Sequence, residues 1–148
     1  MKKNILVSAC LLGESCRYDG KSKPCERVSA LSDAYNLIPI CPEVMGGLPT
    51  PRPAAEIQAD GSLQNVEGID VTAEYRRGAE AVLAIAREQG TEVAILKEKS
   101  PACGKGRVYD GTFTRTLREG NGVCAELLLQ NGIRVLGETE TDKIERLG

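Results

Sequence analysis

Apolar residues fall along this chain in short runs set apart by polar, glycine- and proline-rich stretches. Residues 4–7, 37–40, 92–96 and 133–136 are compact, apolar and β-prone, and each reads as a strand. Helical spacing appears between them. Residues 71–89 place Tyr75, Ala79, Val82, Leu83 and Ala86 on one face, with Thr72 as the expected N-cap and Gly90 as the stop. Residues 26–35 space Val28, Leu31 and Tyr35 as a helix would. Residues 122–130 turn Val123, Leu127 and Leu128 inward and end at Asn131-Gly132. A short last helix is expected over 141–147, and a small hairpin over 55–68 around Asp60-Gly61. Residues 46–56, GGLPTPRPAAE, and residues 104–118 read as loops. Strands that alternate with helices predict an α/β fold with a mainly parallel sheet, a single three-layer Rossmann-like domain.

Composition narrows the chemistry. The chain has 148 residues, enough for one domain that buries its own core. Its net charge of −2 gives no general attraction to nucleic acid or acidic lipid. Two lysines before the first apolar run faintly resemble an export signal, but Glu14, Cys16, Arg17 and Asp19 follow at once. No apolar stretch approaches the roughly 18 residues of a membrane span. A cytoplasmic protein is therefore expected. There is no histidine, which removes the commonest general base, the commonest zinc ligand and every serine–histidine or cysteine–histidine pair. Six cysteines remain, and without an export signal they point to metal binding, catalysis or burial rather than disulfides.

Cys10, Cys41 and Cys103 each lie just past an expected strand end. In an open parallel sheet those ends share one edge, where ligand sites form at the point of strand-order reversal. Cys41 precedes Pro42 and Ser100 precedes Pro101, which holds both residues extended. Zinc is one ligand that three thiolates suit. Cys41-Pro42-Glu43 matches the half of the zinc-deaminase pattern in which the glutamate moves protons, but the Pro-Cys-x-x-Cys half is absent. An iron–sulfur cluster is the other, and three cysteines would leave one iron open. Each group also has a plainer reading: a buried thiol, a solvated acid at Glu43, a turn residue at Ser100. That plainer reading is adopted for Cys16 and Cys25, as exposed loop thiols, for Cys124, as a packed helix residue, and for Arg17 and Arg52, as structural or surface cations.

Four segments carry a family resemblance: SACLLGESCRYDG (8–20), CPEVMGGLPTPRPAAEI (41–57), LKEKSPACG (96–104) and GTFTRTLREGNGV (111–123). In order and in content they resemble the signatures of the TudS-like thiouracil desulfidases, over nearly the whole chain. The resemblance implies a single desulfidase domain over residues 1–148 and a 4Fe–4S cluster held by three cysteines with one open iron. It implies a non-redox removal of sulfur from thiouracil-type bases, giving uracil and sulfide. It carries the ligands onto Cys10, Cys41 and Cys103, the acid–base glutamate onto Glu43 and the assisting serine onto Ser100. Many relatives have a second serine before the last cysteine, where this chain has Ala102.

Three other functions compete: a zinc-dependent nucleobase hydrolase or deaminase, a non-catalytic iron–sulfur electron-transfer or sensor module, and a metal-free binding domain. The expected partner is a small thiolated base or nucleoside rather than nucleic acid or a membrane.

Overall fold

The computed structural model describes residues 2–147. Four parallel strands form the central sheet: β1 (Lys3–Ser8), β2 (Tyr35–Ile40), β5 (Val93–Leu96) and β8 (Arg134–Gly137), in the order β2-β1-β5-β8. Two antiparallel pairs lie outside it, β3 (Ala55–Ile57) with β4 (Leu63–Asn65) and β6 (Arg107–Tyr109) with β7 (Leu117–Glu119). The helices are α1 (Glu26–Ser29), α2 (Pro42–Met45), α3 (Thr72–Glu88) and α4 (Val123–Gln130), with 3₁₀ turns over Ala9–Leu12, Ala30–Asp33 and Glu138–Leu147.

Alternation along the strands builds three layers, because successive side chains leave a strand on opposite faces. Leu6, Ala94, Leu96 and Val135 point to α3 and α4, where Val82, Leu83, Ala125 and Leu128 meet them. Ile5, Val7, Ile95 and Leu136 point the other way, onto Val28 of α1 and Ile144 of the last 3₁₀ segment. This is the α/β class that the alternating pattern predicts. β2 adds to one side of β1 and β5 to the other. Strand order therefore reverses at β1, and the crevice beyond the C-terminal ends of β1 and β5 is the place for a ligand.

The structure departs from the sequence reading at several points. Residues 104–118 are not a plain loop, since β6 and β7 pair within them, with Val108 buried and Arg107 opposite Glu119. Runs of three residues are too short for periodicity to announce. The helix expected over 26–35 gives way to a 3₁₀ turn, and Tyr35 opens β2. Thr72 does not cap α3: it is the first helical residue, and its hydroxyl takes the Leu63 N–H at 2.9 Å. In α4 the fully buried residues are Cys124, Ala125 and Leu128, while Val123 and Leu127 pack at the core's edge. No helix among the described residues is long and apolar enough to cross a membrane.

Candidate active site

Cys10, Cys41, Cys103, Glu43 and Ser100 all line one cavity of about 700 Å³ at the C-terminal edge of the sheet. They arrive from three strand ends, Cys10 after β1, Cys41 and Glu43 after β2, and Ser100 and Cys103 after β5. Cys10 sits in the 3₁₀ turn after β1, where its carbonyl accepts the Lys23 N–H at 2.9 Å. Cys41 closes β2 in an extended conformation, φ −138° and ψ 101°, and is the N-cap position of α2. Pro42 fills the first helical position, where a missing N–H costs nothing. Glu43 follows on that single turn.

Cys103 rests on a tighter device. Ser100 Oγ accepts the N–H groups of Ala102 and Cys103, both at 3.1 Å. The carbonyls of Pro101 and Ala102 accept the N–H groups of Val123 and Cys124 at 2.9 Å each, so the turn docks on the N-terminus of α4. A Cβ on Gly104 would stand 2.7 Å from the Ser100 carbonyl, so only glycine fits.

Glu43 is held at both oxygens. Arg52 Nη2 lies 3.2 Å from Oε1, and the Tyr75 hydroxyl donates to Oε2 at 2.5 Å. The Arg52 side chain is only 3% exposed and that of Glu43 14%, so this pair is sheltered. Arg52 also donates to the carbonyls of Cys16 (2.9 Å) and Pro49 (3.2 Å) and to Thr50 Oγ1 (3.1 Å). It thereby fastens the 14–20 loop to the 49–52 loop. Burial first, then the Glu43 charge, pushes the Tyr75 phenol far above its ordinary range, so it stays a donor. Reading Arg52 as a structural or surface cation missed its contact with Glu43, because that contact spans the chain from one loop to another.

Two glycines set α2 on α3. A Cβ on Gly46 would overlap the Glu74 carbonyl, and one on Gly78 would overlap the Pro42 carbonyl. The two backbones touch directly, which brings Glu43 over Tyr75.

The thiols form an unequal group. Cys16 is half-buried rather than exposed, and its carbonyl accepts the Cys41 thiol at 3.8 Å. Its own thiol is pushed up to about 11, chiefly through its hydrogen bond to Cys10. The Cys41 thiol is raised far above its usual value by a hydrogen bond to Cys16 and then by burial. Burial, then Cys124, raises Cys103, against which the Ser8 hydroxyl acts as a hydrogen-bond partner. Ser8 is buried and also accepts the Lys97 N–H at 2.8 Å, joining the ends of β1 and β5. Cys124 lies in the core away from the cavity, and burial pushes its thiol up to about 12.

This donor set fits a thiolate-ligated cluster. The three strand-end cysteines are unbridged and face a common space, and thiolates are the ligands that iron–sulfur clusters take. Among the described residues, no three thiol or carboxylate groups close around one point as a single metal ion would require. In a multi-iron cluster each cysteine binds a different iron, so its ligands stand apart.

The pattern of the 2-thiouracil desulfurase family matches residues 5–140. A Bacillus subtilis (strain 168) protein described as uncharacterized, YbbK, is 42% identical over 149 residues, which cover 95% of this chain and 99% of that protein. The solved structure of the 4Fe–4S-dependent thiouracil desulfidase TudS superposes with a TM-score of 0.88 at 46% identity, covering 99% of this chain and 95% of that one.

Proposed function

The chain belongs to the 2-thiouracil desulfurase family, and from that premise we propose that it is a 4Fe–4S-dependent desulfidase, converting thiouracil-type bases to uracil and sulfide without net electron transfer. The observation that carries this reading is the convergence of three thiols from three strand ends on one cavity beside a carboxylate held at both oxygens. Cys10, Cys41 and Cys103 would hold the cluster. When bound, the cluster supplies a Lewis-acidic iron without a cysteine ligand, which polarises the substrate's C–S bond.

The protein's own residues supply the rest. Glu43 takes a proton from a water whose oxygen then bonds to the thiocarbonyl carbon. The C–S bond breaks with its electron pair on sulfur, and a C=O replaces the C=S, so water is consumed and sulfide released. Arg52 and Tyr75 keep the carboxylate aimed, so that little reorganisation accompanies the transfer. Ser100 lines the same cavity. Its oxygen accepts two backbone N–H groups, which leaves its own proton to donate toward the substrate or to relay.

The experiment is anaerobic reconstitution, followed by iron and sulfide counts and a sulfide-release assay on 2-thiouracil, 4-thiouracil and their nucleosides. Four irons, four sulfides and stoichiometric uracil are expected. Zinc without acid-labile sulfide, or a reversible redox couple without sulfide release, would overturn the assignment.

A further inference from the structure

Glu56 takes no part in the proposed reaction, yet it is among the most buried charged groups of the described residues, only 9% exposed. Among the described residues no cation pairs with it. Instead one carboxylate oxygen, Oε1, accepts the backbone N–H groups of Gly111 (3.0 Å) and Phe113 (3.1 Å), fifty-five and fifty-seven residues further along. Charge-assisted bonds to backbone amides are stronger than neutral ones, and here two converge on one atom. The 110–116 segment that they hold is otherwise improbable. Phe113 and Arg115 lie in the left-handed region, φ 59° and 61°, which persists for such residues only where the surroundings enforce it. Gly111, at φ 96°, approaches so closely that a Cβ would stand 2.8 Å from the Ile57 carbonyl. The hydroxyls of Thr112, Thr114 and Thr116 link in a row, at 2.6 and 2.8 Å.

The segment so fixed is one wall of the cavity that holds the cysteines and Glu43: Glu56, Phe113 and Arg115 all line it. Phe113 is the chain's one phenylalanine among only five aromatic residues. A flat, polarisable ring in the wall of a site for a flat heterocycle is a stacking surface, and base–aromatic stacking tolerates any base.

We infer that Glu56 is a positioning residue: its carboxylate folds the 110–116 segment so that Phe113 forms the wall on which the pyrimidine ring lies. The inference rests on the desulfidase reading for the identity of that ring, and the test separates the two. Reconstituted enzyme and variants are compared by KM and kcat on 2-thiouracil, by the dissociation constant of uracil, and by amide exchange over residues 110–116.

Glu56→Ala and Glu56→Asp, which remove or shorten the reach, should lose protection at Gly111 and Phe113 and raise KM about tenfold. In both, kcat should stay within about twofold and the cluster's absorption should be unchanged. Glu56→Gln keeps an acceptor at the same reach and should retain most of the protection and the KM. Phe113→Ala should raise KM as much, add little to Glu56→Ala, and be repaired by Phe113→Tyr. Unchanged protection in Glu56→Ala, additive effects, or a fall in kcat at constant KM would overturn the inference. If the wild type releases no sulfide, the desulfidase reading fails on its own. Weaker uracil binding by Glu56→Ala and Phe113→Ala then still supports the wall, and equal or absent uracil binding overturns it.

Discussion

The Tyr75 hydroxyl donates to Glu43 Oε2 at 2.5 Å, joining the buried face of α3 to the one-turn helix that follows Cys41. With Arg52 on Oε1, both oxygens of the carboxylate are engaged from outside the cavity. A carboxylate on a solvated loop rotates freely; this one is fixed in plane and direction. The two residues that fix it, Arg52 and Tyr75, do not themselves line the cavity.

Glu43→Gln preserves shape and removes the proposed base. Iron and sulfide content and the visible absorption should stay at wild-type levels, while kcat falls by about 10²–10⁴. Full turnover would exclude Glu43 from proton transfer.

Removing the supports should cost stability as well as rate. Arg52→Met leaves a sheltered carboxylate without its cation, a loss of about 3–5 kcal/mol. For a chain of this size that lowers the melting temperature by roughly 10 °C. Tyr75→Phe deletes one donor and should cost about 1–3 kcal/mol. It should also lower kcat with the cluster intact. Melting curves within a degree of wild type for Arg52→Met would mean that the ion pair seen at 3.2 Å does not persist in solution.

Cluster content distinguishes the thiols. Alanine at Cys10, Cys41 or Cys103 should abolish the iron-dependent absorption, whereas Cys16→Ala should retain it. Cys16 makes this comparison demanding, because its carbonyl accepts the Cys41 thiol and it lines the same cavity. Loss of the cluster in Cys16→Ala would replace three-cysteine ligation by four.

Ser100→Ala removes the acceptor of two backbone N–H groups in the turn that carries Cys103. A loss near 1 kcal/mol is expected, as for other hydroxyl caps, and turnover should fall if the hydroxyl also serves the substrate. A variant that melts lower but turns over at the wild-type rate would restrict Ser100 to the turn.

Gly78→Ala sets two magnitudes against each other. Alanine favours a helix over glycine by about 1 kcal/mol, but its Cβ would overlap the Pro42 carbonyl, which as backbone cannot rotate aside. Overpacking of that kind costs about 1–3 kcal/mol, so net destabilisation is expected, with kcat reduced because α2 must lift Glu43 off Tyr75. Improved stability at full activity would show that the contact has slack.

The parts legible in the sequence were those set by short-range pattern. Short apolar, β-prone runs and one strong helical face pointed to the sheet and α3, and topology sent Cys10, Cys41 and Cys103 toward one edge, which they line together in the structure. What escaped were partnerships between segments far apart. Nothing local to Tyr75 distinguishes a core aromatic from the donor to Glu43, although a buried phenol must find some partner. Arg52 sits between two prolines in a stretch that reads as surface. Glu56 acts on residues more than fifty positions away, through backbone amides that carry no signature of side-chain identity. The β6–β7 pair was missed for a different reason, since each strand is three residues long.

Because three of the cavity's thiols follow β1, β2 and β5, they also fix when it can first exist. A Cys-x-x-Cys loop can capture a metal while still part of an unfolded segment. Here the third strand-end cysteine follows the first by more than ninety residues, and the three meet only after β2 and β5 have both paired with β1. During synthesis, Cys10, Cys16 and Cys41 emerge long before Cys103, so a growing chain presents loose thiols but no complete site. If these three cysteines hold the cluster as proposed, formation of the sheet itself would set the time at which the chain can retain it.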